Sequence, residues 1–201
     1  MTKIAIDVVL LPSAEMTNNA ISMNKTLVNQ FGEKLKLDET GCLPHISLAM
    51  GCVDKTKLCE IKKAMKHVAK AFSPFDLTIE KLNVKIIPTG EKVSELVIKN
   101  TKNLQQLHEL IMKALWVYFS YDVEIGMLFE PANVKEITLH WIKNYGKHYE
   151  NQSLFYPHIT LGFGELNQRP SKTRFGASEL AVFQLGNYCT CKKKLFSINF
   201  Q

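Results

Sequence analysis

Pro44-His45-Ile46-Ser47-Leu48 recurs as Pro157-His158-Ile159-Thr160-Leu161, with only Ser exchanged for Thr. A chance five-position echo in a chain of ordinary composition has odds on the order of a percent, so the pair is read as one device used twice. Successive side chains of a strand point to opposite faces. His45 and Ser47 therefore share one face, roughly 7 Å apart by the rise per residue, and Ile46 and Leu48 face a core. The same alternation holds for His158, Thr160, Ile159 and Leu161. Pro44 and Pro157 lack an N–H, which suits the start of a strand. If the two strands lie near each other, four polar groups converge on one cleft.

The elements around the phrases support this placement. Ile4, Ile6, Val8 and Leu10 alternate, so residues 3–11 read as a strand closed by Pro12. Ala20, Met23, Leu27 and Phe31 form one helical stripe, with Gly32 as its stop. Asp54 caps a second helix carrying Leu58, Ile61, Met65, Val68 and Phe72. Residues 75–87 read as an extended pair of alternating runs ending at Pro88, and a turn at Thr89-Gly90 leads to a short strand at 93–99. Leu104, Leu107, Ile111 and Leu115 mark a third helix, opened by Asn100 or Thr101. Val134, Ile137, Trp141 and Tyr145 mark a short fourth one, which Gly146 would end. Residues 165–178 read as a loop, with final strands near 180–187 and 194–200. This order is α+β with partial symmetry about its middle, and residues 1–201 read as one domain.

The 201 residues suffice to bury a core, and 46% hydrophobic with 22% charged residues is an ordinary globular balance. No apolar run approaches the roughly 20 residues that cross a bilayer. The opening Met1-Thr2-Lys3-Ile4-Ala5-Ile6-Asp7 alternates in polarity and holds an Asp, so it is not expected to act as a secretory signal. Five cysteines, an odd count without paired metal-type spacing, suit a reducing compartment, and a cytoplasmic location is expected. The net charge of +6 favours an anionic partner. Lys55, Lys62, Lys63, Lys66 and Lys70 read as the solvated face of the second helix.

Two imidazoles beside two hydroxyls suit phosphodiester chemistry. One His takes a proton from the attacking oxygen and the other protonates the departing one, while hydroxyls steady the phosphoryl oxygens. No metal or cofactor is called for. A two-histidine zinc site would need a third ligand, for which His140 and His148 are available. Their place on or beside the Trp141 helix reads as surface or packing. His67 and His108, inside helical segments, read as surface residues.

His45-Ile46-Ser47-Leu48 and His158-Ile159-Thr160-Leu161 resemble the paired H-x-[ST]-x motifs of the 2H phosphoesterase superfamily. Leu10-Leu11-Pro12 before a helix, Tyr156-Pro157-His158 and Gly162 look like its 2'-5' RNA ligase and cyclic phosphodiesterase branches. The resemblance implies a bilobed α+β fold, with two small antiparallel sheets facing each other across a central cleft and helices outside. It also implies a metal-independent phosphodiesterase, with His45 and His158 as base and acid in an order left open. Ser47 and Thr160 would then contact the scissile phosphate. The substrate implied is RNA, an oligonucleotide or a cyclic nucleotide, either a 2',3'-cyclic phosphate or a 2'-5' linkage, and the protein is expected to be a monomer. Reversible 2'-5' RNA ligation in the same cleft and nucleotide or RNA binding without turnover stay open.

Further binding residues are read from position. Strand alternation puts Tyr156 on the His158 face, where it could stack on a base, and puts Phe163 opposite Thr160, in the core. Arg169, Lys172 and Arg174 follow the second motif and could hold a further phosphate. The aromatic stretch 121–150 is longer than the compact bacterial pattern and bears on substrate size.

Overall fold

The computed structural model describes residues 2–151, 154–168 and 170–201. Its strands are β1 (Lys3–Pro12), β2 (Ile46–Asp54), β3 (Phe75–Ile86), β4 (Lys92–Ile98), β5 (His158–Phe163), β6 (Arg174–Leu185) and β7 (Cys191–Asn199). The helices are α1 (Ala14–Phe31), α2 (Leu58–Ala69), α3 (Lys102–Leu115) and α4 (Glu136–Glu150). All strand pairings are antiparallel, in the order β2-β1-β6-β3-β4-β5, with β7 pairing the later part of β6, beyond β3 and on the edge away from β1. Strand β3 belongs to both halves. Its first residues, Phe75–Thr78, pair with β6, and Ile79–Ile86 pair with β4. The two small sheets expected from the sequence are thus halves of one open array joined through β3.

This order places β2 and β5, the two motif strands, at opposite ends of the array. The array curls so that the ends approach, and the cleft is the gap between them. The main core fills the opposite side. It joins Ile4, Ile6, Val8 and Leu10 of β1 to Met23 and Leu27 of α1, Ile61 and Met65 of α2, and Leu104, Leu107 and Ile111 of α3. Strand β1 is buried on both faces, because Ala5 packs with Met50, Val123, Leu128 and Ile142 beneath α4.

Both motif strands break register at the same motif position. Val9 pairs with Ser47 and Val8 with Ala49, so Leu48 is an extra residue in β2. Glu95 pairs with Thr160 and Ser94 with Gly162, so Leu161 is the extra residue in β5. A bulge leaves a carbonyl out of the ladder, and a buried carbonyl needs a donor. Asn24 of α1 donates to Leu161 O at 2.7 Å. His108 of α3 contacts Leu48 O through Nδ1 at 2.7 Å, and since a carbonyl only accepts, Nδ1 carries the proton. Gly162 takes φ +145, and a Cβ there would lie 2.9 Å from Asn24 Nδ2.

Each capturing residue also holds the segment that leads into the other motif. Asn24 donates to Leu35 O at 2.9 Å and accepts from Leu37 N at 2.9 Å, ahead of His45. His108 stacks on Phe155, ahead of His158, with ring centroids 4.2 Å apart and planes 3° from parallel. His108 is therefore a buried structural residue and not the surface residue its helical setting suggested.

Three other expectations change. The stretch 165–178 is loop only in its first part, because Arg174–Ala177 begin β6 and pair with β3. Gly146 lies inside α4 and does not end it, because the Tyr121 ring occupies the place of a side chain, 2.4 Å from where a Cβ would be. Asp54 caps a single 3-10 turn, Lys55–Lys57, which leads into α2.

Replacing Asn24 with Ala strands one amide N–H and two carbonyls, and at roughly 1 kcal/mol or more per buried orphan the loss is about 3 kcal/mol. Urea unfolding measures it, and a loss well under 1 kcal/mol would contradict the role given to Asn24.

Candidate active site

Burial follows the alternation read from the sequence. Ile46, Leu48, Ile159 and Leu161 are fully buried, and His45, Ser47, His158 and Thr160 are half-buried. The four polar side chains line a single cavity of about 470 Å³ between the ends of the array. Each motif histidine is anchored alike. His45 Nδ1 is 2.7 Å from Leu43 O and His158 Nδ1 is 3.0 Å from Tyr156 O, so each Nδ1–H donates to the carbonyl two residues back. Each Nε2 is left as the ring nitrogen available for proton transfer.

Each Nε2 also stands near a buried carboxylate that the motif reading did not single out. Asp7 Oδ2 is 3.9 Å from His45 Nε2 and accepts from Ser47 Oγ at 2.6 Å. Glu95 Oε2 is 3.8 Å from His158 Nε2. Both carboxylates are fully buried. Glu95 pairs with Lys85 Nζ at 2.5 Å and accepts from Tyr156 Oη at 2.7 Å and Asn83 Nδ2 at 3.0 Å. Desolvation would raise its pKa, but His158, Lys85 and Asn83 outweigh burial and hold it below the ordinary glutamate range. Asp7 has only Ser47, and its Oδ1 has no partner. Burial drives its pKa well above the ordinary value and so favours its protonated form.

Burial lowers both motif histidines. His45 falls to about 4, with the charge of His158 across the cavity contributing. At His158, Lys85 adds to burial and Glu95 opposes it.

Donor atoms of Asp7, His45 and Cys191 lie within 4.8 Å of one another, the one such grouping among the described residues. Burial raises both the Asp7 carboxyl and the Cys191 thiol well above their ordinary values. Ligation would require both to lose protons in a place closed to solvent, so the set fits a packed polar cluster better than a metal centre.

The far wall of the cavity comes from α4. His140, Trp141, Asn144, Tyr145, His148 and Tyr149 recur at three- and four-residue spacing and present one helix face to it. His140 and His148 are exposed, in keeping with the surface reading, and lie on the rim of the cavity. Five of the six histidines line the cavity. Tyr156 lines it as expected, and its hydroxyl is held by Glu95. Phe163 is buried, but on the cavity side and not opposite Thr160, because the extra residue at Leu161 resets the alternation.

Two of the basic residues after the second motif, Lys172 and Arg174, are not in the cavity. Lys172 pairs with Glu15, and Arg174 pairs with Asp76 at 3.3 Å, both on the exposed surface. Arg169 lies outside the described residues. Lys85 is the one lysine or arginine lining the cavity among the described residues. The lysines of the second helical stripe are all exposed.

No family model matches the sequence, and no curated protein matches it. Solved structures match in fold. E. coli LigT complexed with phosphate superposes with a TM-score of 0.52 at 13% identity, over 100% of this chain and 99% of LigT. LigT complexed with 3'-AMP gives 0.50 at 15%, over 100% and 99%. TT0787 of Thermus thermophilus gives 0.58 at 13%, over 98% of each chain. The α+β fold implied by the paired motifs is the fold these structures share with the chain.

The raised pKa of Asp7 makes stability pH-dependent. Its pKa is raised on folding, so the unfolded chain ionises first and stability falls as pH climbs above the ordinary carboxylate range. Asp7→Asn should remove that loss, giving a smaller drop in Tm between pH 5 and pH 7.5 than the wild type shows. An equal or larger drop would show that Asp7 is charged in the folded protein.

Proposed function

We propose that the chain is a member of the 2H phosphoesterase superfamily and acts as a metal-independent phosphodiesterase on small RNA-derived nucleotides. The observation that carries this reading is the twofold motif geometry. Two imidazoles, each with Nδ1 tied to its own backbone and Nε2 free, share one cavity with two motif hydroxyls. That is the set needed for acid–base cleavage of a phosphodiester. One Nε2 accepts the proton of the attacking oxygen, the other Nε2–H supplies the proton of the leaving oxygen, and Ser47 and Thr160 stand where the phosphoryl oxygens gather charge.

Substrate size is read from the walls. A long RNA is gripped through many phosphates, each needing a cation. This cavity offers Lys85, already paired with Glu95, against the rings of Trp141, Tyr145, Tyr149, Phe155 and Tyr188. Aromatic faces stack on bases at about 1–3 kcal/mol each. A volume of about 470 Å³ falls in the range of roughly 300–1,000 Å³ common for small-molecule sites. A nucleoside 2',3'-cyclic phosphate or the end of a short 2'-5'-linked oligonucleotide suits these walls.

A panel of nucleoside 2',3'-cyclic phosphates, 2'-5' and 3'-5' oligoadenylates, cyclic oligonucleotides and ADP-ribose cyclic phosphate, with products identified by mass, tests the reading. Turnover should persist in EDTA. His45→Ala and His158→Ala should each lower kcat by about 10³-fold with the fold retained, the middle of the range for a single general acid or base. Full activity in either variant, or its loss in EDTA, would refute the proposal. Joined product from tRNA halves would favour ligation in the same cleft, and tight retention without product would favour a binding module.

Trp141→Ala should raise KM for a nucleoside 2',3'-cyclic phosphate about tenfold, as loss of one stacked base implies, with a smaller change in kcat. An unchanged KM would remove α4 from the substrate site.

A further inference from the structure

The two buried carboxylates are dressed unequally. Glu95 lies directly opposite Thr160 in the β4–β5 ladder and is held by a lysine, an amide and a phenol. Asp7 lies opposite Met50, two residues along β1 from the partner of Ser47, and has a single hydroxyl donor. Several donors and a cation favour the ionised form of a carboxyl, and desolvation with a single donor favours its neutral form. Paired titratable groups whose surroundings differ in this way mark which side gives a proton and which takes it.

Resting on the phosphodiesterase reading, we propose that Glu95 and Asp7 are positioning residues that fix the direction of proton transfer: Glu95, held by Lys85, Asn83 and Tyr156, makes His158 the better proton holder and so the acid, and Asp7, with Ser47 as its one donor, gives His45 no such support and leaves it the base. In hydrolysis of a 2',3'-cyclic phosphate, His45 Nε2 takes a proton from water as the water oxygen bonds to phosphorus. One ribose P–O bond breaks, its electron pair stays on the ribose oxygen, and that oxygen takes the proton from His158 Nε2. His45 then loses its proton to solvent and His158 regains one, which resets the pair.

The surroundings of each ring agree. Around His45 stand Asp7 on β1, Cys191 on β7, Tyr145 on α4, and Cys42 and Cys189 on adjoining segments. Burial holds the three thiols and the phenol uncharged at neutral pH and pushes the Asp7 carboxyl toward its neutral form. No anion offsets the burial of His45, and His158 opposes its protonation from across the cavity. Around His158 stand Glu95 on β4, Lys85 on β3 and Tyr156 on its own approach, whose phenol burial pushes up to about 12. His108 on α3 and His140 and His148 on α4 complete the wall. Lys85 opposes protonation of His158 and Glu95 favours it. Removing either partner should therefore move His158 in opposite directions.

The test is the pH dependence of kcat/KM for adenosine 2',3'-cyclic phosphate, with NMR titration of the histidine ring protons in the same proteins. The acidic limb reports the base and the basic limb the acid. Glu95→Gln should move the basic limb down by about one pH unit, the low end of the effect of an adjacent opposite charge. Lys85→Met should move it up, and Asp7→Asn should leave both limbs in place. A shift that merely reflected loosened packing would not reverse sign between Glu95→Gln and Lys85→Met. Movement of the acidic limb in Glu95→Gln would make His158 the base and overturn the proposal, as would movement of that limb in Asp7→Asn. If the wild type turns over nothing in the substrate panel, the phosphodiesterase reading fails. NMR then still decides the protonation order: His158 titrating above His45 in the wild type, with the gap closing in Glu95→Gln, upholds it, and the reverse order overturns it.

Discussion

Two backbone carbonyls, Leu48 O and Leu161 O, hold this molecule together at its centre. Each is released from its ladder by a bulge at the last residue of a motif, and each is captured by a buried polar side chain from a helix. A buried carbonyl left without a donor costs on the order of 1–3 kcal/mol, so the captures are strongly selected once the bulges exist. The bulges in turn bend the edge strands and let the array curl until its ends face each other. Asn24 and His108 each also fasten the segment entering the opposite motif. The two halves of the cleft are thereby tied crosswise, and the fold and the site share the same hydrogen bonds.

The chemistry at the cleft follows from what these ties leave free. Anchoring each Nδ1 to the carbonyl two residues back fixes both ring orientation and tautomer. The symmetry then stops. Glu95 has several donors and Asp7 a single one, α4 walls one side with rings, and the cations of the 165–178 stretch that fall among the described residues are paired elsewhere. A symmetric scaffold carries an asymmetric site, which a reaction with one base and one acid needs.

Much of this was legible in the chain. The repeated phrase, read with a two-residue period, gave the motif strands, their burial and the four cavity side chains. Helical stripes placed α1, α2 and α3. What the apolar pattern hid were the polar residues embedded in it. Asn24 lies between Ala20 and Leu27 on the α1 stripe, and His108 between Leu104 and Ile111 on the α3 stripe, positions that carry them into the core with their hydrogen bonds. Asp7 and Glu95 sit inside the runs Ile4–Leu11 and Val93–Ile98 in the same way. A polar residue on an apolar stripe is the available signal for such groups, because burial without a partner is too costly to leave to chance. Phe163 was misplaced for a different reason: a bulge shifts the two-residue period by one, and an apolar sequence does not announce it. Gly146 was misread because the ring that covers it, Tyr121, comes from a distant segment.

The central claim is that both motifs act on one phosphoryl group, and a crystal structure with a nucleoside vanadate tests it most directly. The pentacoordinate vanadium should sit between the histidines, with His45 and His158 Nε2 each within about 3.2 Å of opposite apical oxygens. Ser47 and Thr160 should reach equatorial oxygens, and the base should lie along the α4 wall. Vanadate contacting only one motif, or bound at Lys172 and Arg174 with the cavity unfilled, would contradict the account.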